Sequence, residues 1–243
     1  MDLSIIVPLY NEVNTIEELI GSVYKNSTSS LDFEVIVVDD GSIDDTPNVL
    51  NRIAKKYNNM LTLRLEKNCG KTQAIRKGME LVRGNYIAIQ DADLEYNPSD
   101  LFSLYKLASD NNYTAVYGSR LKKENPNNYP LFLLGNVLIT KYYNFLFKDN
   151  ITDLSTCYKI FKKDIVNSEL ITERRFGFCP ELTCILRSKG VRIVESPISY
   201  YPRSIAEGKK IRAKDGIHFL WIITKNYLKY LYQMLKGQRK NTS

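Results

Sequence analysis

Hydrophobic positions in this chain fall into short runs and helical stripes that take turns along its first 120 residues. Leu3 to Val7 is an unbroken apolar run, the pattern of a strand buried on both faces. Val13, Ile16, Leu19, Ile20 and Val23 recur at helical spacing, with acids at the start, and predict a helix over Asn11 to Tyr24. Glu34 to Val38 predicts a second strand. Pro47 suits the first turn of the helix that follows, with Asp44, Asp45 or Thr46 as its cap. A strand over Leu61 to Leu65, a helix over Lys71 to Val82 and a strand over Tyr86 to Gln90 continue the alternation. Strand and helix in this order specify an α/β fold around a mostly parallel sheet.

Past about residue 120 the alternation weakens. Leu131 to Phe147 is strongly apolar and aromatic, and fits either core or an exposed contact surface. A short strand at Tyr158 to Phe161, a helix from Pro180 to Ser188 and a strand from Arg192 to Ile198 follow. There is no internal repeat and no low-complexity linker, so the pattern describes one domain with a C-terminal extension.

Composition narrows the class. At 243 residues, 44% hydrophobic and 25% charged, the chain has the make-up of a folded globular protein with a full core. The four cysteines, Cys69, Cys157, Cys179 and Cys184, have no paired C-x-x-C spacing, which argues against structural zinc and fits reduced thiols in the cytosol. The segment after Met1 is too short for a secretory signal and lacks a basic leader, and this places the protein on the cytoplasmic side. The net charge of +7 is concentrated at the end: ten of the 34 Lys and Arg lie from Tyr201 onward, against two acids, Glu207 and Asp215. No groove-reading motif accompanies this excess, so a nucleic-acid partner is not expected. An anionic membrane surface or a phosphate-bearing substrate fits it better.

The candidate chemistry is acidic. Val37-Val38-Asp39-Asp40-Gly41-Ser42 and Ile89-Gln90-Asp91-Ala92-Asp93-Leu94-Glu95 each follow a predicted strand directly. In an open parallel sheet both emerge at the carboxyl edge, where ligands bind. An Asp-x-Asp there offers two hard oxygen ligands to Mg²⁺ or Mn²⁺, with the remaining positions left to water and substrate phosphates. Taken singly, Asp-Asp-Gly-Ser also reads as a capped turn, and it is the joint placement of the two clusters that points to a site. Two other motifs fail. Gly70-Lys71-Thr72 has Leu65 where a P-loop requires its first glycine, and Pro8-Leu9-Tyr10-Asn11-Glu12 stands where a dinucleotide fold needs its glycine-rich turn. Lys71 is left either as a phosphate contact at a helix N-terminus or as a solvated lysine. His218 is the sole histidine, so a His-based triad could run only through it; its apolar setting fits packing or an interface. Glu181 suits acceptor positioning or, equally, the first turn of a helix.

Ile6-Val7-Pro8-Leu9-Tyr10-Asn11-Glu12, Val37 to Ser42 and Asp91-Ala92-Asp93, in that order, resemble the family 2 glycosyltransferases of the GT-A fold. Gly118-Ser119-Arg120, Asp153 to Lys159, Glu195 to Tyr200, and Arg203 followed by Gly208-Lys209-Lys210 look most like the polyprenyl-phosphate (dolichol-phosphate) mannosyl- and glucosyltransferases within it. The resemblance runs from about residue 3 to 216. It implies a GT-A catalytic domain over residues 1–212 and leaves 213–243 as a basic amphipathic helical tail. It puts Pro8, Tyr10, Glu12 and Asp39 around the nucleoside. Asp91 and Asp93 would hold donor and metal, with Glu95 where relatives use a Gln as metal ligand, a change that could alter metal preference. Lys71 would sit near the donor. Arg120, Arg203 and Lys209 would face the diphosphate or the acceptor phosphate.

The reaction this implies is inverting, divalent-metal-dependent transfer of a hexose from a nucleotide-sugar of the GDP-mannose or UDP-glucose type to a polyprenyl phosphate. A phosphate acceptor is already anionic near neutral pH and needs no strong base. A same-fold enzyme acting on a sugar hydroxyl is the alternative, and a non-catalytic nucleotide- or membrane-binding module a further one. In the tail, Lys225, Lys229 and Lys236 fall on one helical stripe beside Trp221, Leu228, Leu231, Tyr232 and Leu235. That fits a helix lying on the cytoplasmic face of a membrane, or one docked on the domain with its lysines in water. The uncharged stretch from Gly216 to Thr224 is too short to span a bilayer.

Overall fold

The computed structural model describes residues 1–126, 129–203 and 213–240. Its elements are β1 (Leu3–Leu9), α1 (Ile16–Asn26), β2 (Phe33–Asp39), α2 (Thr46–Ala54), β3 (Met60–Arg64), α3 (Lys71–Met79), β4 (Tyr86–Ile89), α4 (Pro98–Asp110), β5 (Ala115–Ser119), α5 (Pro130–Phe147), β6 (Lys159–Lys162), α6 (Phe178–Ser188), β7 (Ile193–Pro197) and α7 (Ala213–Lys240). Among the described residues the strands make one sheet in the order β3-β2-β1-β4-β6-β5-β7. All neighbours are parallel except β6, which runs antiparallel to both β4 and β5. The sheet is flanked by helices, as the alternating pattern predicts.

The apolar runs become strands because both of their faces are covered. Every residue of β1 and of β2 is buried. Glu34 survives inside β2 because it is fully bonded, accepting from Ser4 Oγ at 2.7 Å, Arg83 N at 2.7 Å and Arg83 Nε at 2.8 Å. Pro8 is tolerated in a central strand because the ladder to β4 ends at Ile6, with Gln90 N still reaching Ile6 O at 2.9 Å. Beyond that point no partner strand needs its missing N–H.

Chain order places the site. The sheet grows outward from β1 through β2 to β3, then returns to β4 on the other side of β1. Loops after β1 and β4 therefore diverge and leave a crevice at the carboxyl edge. The acidic clusters follow β2 and β4 directly. The first helix starts later than its periodicity predicts, at Ile16, because Asn11 takes a left-handed backbone (φ 53°) and is stitched to the next loop. Asn11 N donates to Ser42 Oγ at 2.9 Å, and Ile43 N donates to Asn11 Oδ1 at 2.9 Å.

The two apolar segments of the second half pair with each other. α7 packs on α5 and α6, burying Phe219, Ile222 and Ile223. α5 buries only Thr140, Tyr143 and Phe147, and leaves Leu131 (82%), Leu138 (57%) and Phe145 (80%) in solvent. Trp221, Leu228, Tyr232 and Leu235 of α7 are also more than half exposed. Leu131 to Phe147 is thus mostly surface. Among the described residues no helix is long and apolar enough to cross a membrane.

Candidate active site

A cavity of about 590 Å³ opens at the crevice, lined among others by Pro8, Tyr10, Glu12, Asp40, Lys71, Asp91, Asp93, Glu95, Arg120 and Arg203. The sequence motifs thus converge on one place. Lys209 lies outside the described residues.

The loop after β2 reaches the cavity through Asp40, and Asp39 is not among the residues that line it. Asp39 is buried, with Oδ1 accepting from Ser42 N at 2.8 Å. Its Oδ2 has no hydrogen-bond partner among the described residues, and Arg64 Nε approaches it only to 3.5 Å. Asp40 works differently from a ligand: it accepts from Cys69 N at 2.8 Å and Gly70 N at 2.7 Å, fixing the loop that leads into α3. Burial raises the Asp40 carboxyl, and those two N–H groups pull it back. Gly41 (φ 71°) is required between them, since a Cβ there would stand 2.7 Å from the Lys67 carbonyl carbon.

Each acid of the Asp-x-Asp run faces a cation. Lys71 Nζ lies 2.5 Å from Asp91 Oδ1, and also donates to Cys157 Sγ at 3.3 Å. Burial opposes the charge on Lys71, but Asp91 holds its ammonium well above the ordinary lysine value. Arg203 bridges Asp93 and Glu12, with guanidinium nitrogens 3.2 Å from each. Burial, with Asp91 and Glu95 alongside, raises the Asp93 carboxyl above the usual range against the pull of Arg203 and Lys71. Glu95 lines the same cavity, but both its oxygens are engaged: Oε2 accepts from Tyr200 Oη and Oε1 from Arg203 N, each at 2.8 Å. With Tyr201 N donating to Glu95 O at 2.9 Å, this straps residues 200–203 over the Asp-x-Asp turn. Among the described residues no three His, Cys, Asp or Glu side chains gather as a metal cluster.

The far wall is a buried ion pair. Arg120, at the end of β5, donates to Asp153 from Nε at 2.7 Å, from Nη2 at 2.8 Å and from its backbone N at 3.1 Å. Asp153 also accepts from Asn136 Nδ2 at 2.9 Å. Tyr200 lies under the guanidinium, 5.0 Å from ring centroid to Cζ. Glu195 fixes the turn carrying Asp153 by accepting from Thr152 N at 2.9 Å and Asp153 N at 3.1 Å.

Glu181 and His218 are both engaged away from the cavity. Glu181 accepts from Thr172 N, Thr172 Oγ1 and Glu173 N at 2.6–3.1 Å. His218 stacks on Trp221 and lies 3.4 Å from Glu173. The cavity also takes in residues that carried no assigned role. Phe219 comes from the tail helix and Arg175 from the loop before α6. Tyr96, Tyr200 and Cys157 also line it; the last two belong to segments that carried the family resemblance.

Residues 4–169 match the family model described as Glycosyl transferase family 2. The Dolichol-phosphate mannosyltransferase of Pyrococcus furiosus is 25% identical over 98% of the chain, and the chain spans 65% of that relative's length. An uncharacterized protein of Methanocaldococcus jannaschii is 30% identical over 89% of the chain and 98% of its own length. Among solved structures, glucosyl-3-phosphoglycerate synthase from Mycobacterium tuberculosis, in complex with Mn²⁺, UDP-glucose and phosphoglyceric acid, superposes with a TM-score of 0.70 at 16% identity. It covers 93% of this chain and 79% of the other, a shared GT-A fold. The family model covers more than half of the chain, and the chain belongs to glycosyl transferase family 2.

Proposed function

We propose that this protein transfers a hexose from a nucleotide-sugar to a polyprenyl phosphate on the cytoplasmic face of a membrane. The observation that carries the reading is a single cavity in which the Asp91-Ala92-Asp93 turn faces Lys71, Arg120 and Arg203. Two phosphate groups brought together there repel each other, and fixed cations offset that repulsion.

In this reading Pro8, Tyr10 and Asp39 receive the nucleoside. The buried Asp39 Oδ2, without a hydrogen-bond partner among the described residues, suits an N–H or O–H donor on it. Asp91 and Asp93 would hold a divalent ion, Mg²⁺ or Mn²⁺. Each is a hard carboxylate at a strand end, already compensated by one positive side chain, so a positive charge fits the place. Such an ion supplies charge neutralisation for the departing nucleoside diphosphate. Arg120, Arg203 and Lys209 are assigned to phosphate oxygens. An acceptor phosphate oxygen attacks the anomeric carbon, the bond from that carbon to the diphosphate oxygen breaks on the opposite side, and the configuration inverts. Glu95 holds Tyr200 and Arg203 with one bond to each oxygen, and would be a third ligand through the lone pairs those bonds leave.

Two observations favour a phosphate acceptor over a sugar hydroxyl. The carboxylates that line the cavity are paired with cations or bonded to backbone, Asp91 to Lys71, Asp93 and Glu12 to Arg203, and Asp40 to Cys69 N and Gly70 N, so none stands ready as a strong base. The exposed apolar sides of α5 and α7, with the exposed Lys229, suit a bilayer surface that would present a lipid. In this reading residues 1–212 carry the catalysis and 213–243 the surface contact. The relative from Pyrococcus furiosus is named for dolichol phosphate and mannose, which agrees with this class.

The test is a panel of labelled GDP-mannose, UDP-glucose and related donors, incubated with a polyprenyl phosphate with and without divalent metal, followed by lipid extraction. One donor should yield labelled lipid in a metal-dependent way. Asp93→Asn should lower turnover by at least about a hundredfold, roughly 3 kcal/mol of transition-state stabilisation. Transfer at the wild-type rate by that variant sinks the assignment.

A further inference from the structure

Four cationic side chains among the described residues line the cavity: Lys71, Arg120, Arg175 and Arg203. Three already meet carboxylates: Lys71 meets Asp91 at 2.5 Å, Arg120 meets Asp153 at 2.7 Å, and Arg203 meets Glu12 and Asp93 at 3.2 Å. Among the described residues Arg175 has no carboxylate within ion-pair reach. Arg175 is exposed where it lines the cavity, so its guanidinium is open to an entering anion.

Its backbone argues in the same direction. Arg175 sits in the left-handed region at φ 54°, which costs a non-glycine residue about 1 kcal/mol. The conformation is fixed from three sides. From α3, Thr72 donates to Arg175 O twice, from N at 2.8 Å and from Oγ1 at 2.9 Å. Gly70 lets the two backbones approach so closely that a Cβ would lie 2.8 Å from Arg175 Cα. From α6, Glu181 accepts from Thr172 N and Glu173 N. From α7, Lys225 Nζ lies 2.8 Å and His218 Nε2 3.4 Å from the Glu173 carboxylate. A turn needing only its shape is met more cheaply by Gly or Asn. Here an arginine is held in a costly conformation at a cavity wall, with its charge uncommitted.

We propose that Arg175 is an anion-binding residue of this cavity that takes phosphoryl oxygens, either of the donor diphosphate or of the acceptor phosphate. A planar fork suits two oxygens of one phosphoryl group better than a lysine would. The inference rests on the reading of the cavity as a glycosyl-transfer site, and extends it to a residue that no motif marks.

Calorimetric titration of the full chain tests it with three ligands: inorganic pyrophosphate, the nucleoside diphosphates GDP and UDP, and farnesyl phosphate. Arg175→Gln should weaken at least one of them about tenfold, and Arg175→Lys should recover part of that loss. Thr72→Val, which removes the second bond to Arg175 O, should weaken the same ligand less. Thermal unfolding of each variant verifies that the fold is kept. If only farnesyl phosphate weakens, Arg175 belongs to the acceptor; if pyrophosphate and nucleotide weaken, it belongs to the donor. Unchanged affinity of Arg175→Gln for every ligand that the wild type binds overturns the inference. A wild type that binds nucleotide and pyrophosphate but no farnesyl phosphate overturns the proposed acceptor instead, and the donor ligands then decide Arg175.

Discussion

Replacing Asp153 by Asn isolates the ion pair that holds Arg120 at the cavity wall. Asp153 is fully buried, and it accepts three bonds from Arg120 and one from Asn136. Burial works against its ionised form, yet Arg120, Asn136 and the Arg120 backbone hold the carboxyl below its usual value. An asparagine keeps the shape but loses the charge and turns an N–H₂ toward donors. Removing one member of a buried pair costs about 3–5 kcal/mol, because the other charge stays behind. The Arg120 side chain is 19% exposed, so water relieves part of that, and the lower end of the range, about 3 kcal/mol, is expected. A domain with roughly 5–15 kcal/mol of stability survives such a loss, so the variant should remain folded for assay.

Urea denaturation of wild type, Asp153→Asn, Arg120→Met and the double variant carrying both substitutions measures this directly. The double variant should lose less than the two single variants together, since no charge is then left unpaired. The sign with pH is fixed as well. A carboxyl whose folded value is depressed gives stability above its unfolded value, near pH 4, and loses it as pH falls through the folded value. The gap between wild type and Asp153→Asn should therefore narrow below about pH 4. A cost under about 1 kcal/mol at pH 7, or strict additivity in the double variant, would refute the account of Arg120 as held by a buried charge.

Two further outcomes follow from buried and exposed groups outside that pair. Burial pushes the Lys159 ammonium down to about 8, where it donates to Leu154 O at 3.0 Å and lies 3.5 Å above the Tyr117 ring. A depressed base penalises the folded state at low pH, and the penalty fades between the folded value and the unfolded value near 10.5. Wild type should thus gain about 3 kcal/mol over Lys159→Met as pH rises from about 8 to about 10.5 in matched urea melts, and a flat difference would contradict it. On α7, Trp221→Ala with Leu228→Glu should cut co-sedimentation with anionic vesicles by at least tenfold, each buried apolar side chain being worth roughly 1.5–3 kcal/mol. Equal binding of that variant would show that this face does not meet lipid.

What the sequence disclosed is what short-range pattern encodes. Leu3 to Val7 and Glu34 to Val38 were legible as strands because burial on both faces forces an unbroken apolar run. The two acidic turns were legible because they follow those runs directly. Boundaries moved where long-range bonds decide them: α1 begins at Ile16 because Ser42 and Thr46, thirty residues on, hold Asn11 and Glu12 out of the helix. α6 starts two residues before Pro180, since a proline in a first turn breaks no helical bond. Leu131 to Phe147 has core composition but sits mostly in water, a distinction that residue pattern cannot carry. Arg175 was invisible for a different reason. Its importance comes from a left-handed backbone pinned by Thr72 across more than a hundred residues of sequence.

The pairing inside the cavity bears on how a ligand would bind on the proposed reading. Lys71, Arg120 and Arg203 cannot simply add a phosphate to what they hold, because each already compensates a carboxylate. Binding is then an exchange of partners, and its net gain is smaller than three new charge-assisted bonds would suggest. The three are not equally free to exchange. Arg120 is tied to Asp153 at three points in a buried setting and can offer phosphate only what that geometry leaves. Arg203 holds Asp93 and Glu12 at 3.2–3.3 Å with longer bonds, and its Nε has no hydrogen-bond partner among the described residues. It is the cation that can turn toward a diphosphate once Asp93 is compensated by other means. Arg175 needs no such release, and for that reason the first phosphate to enter should meet it before any of the paired cations lets go.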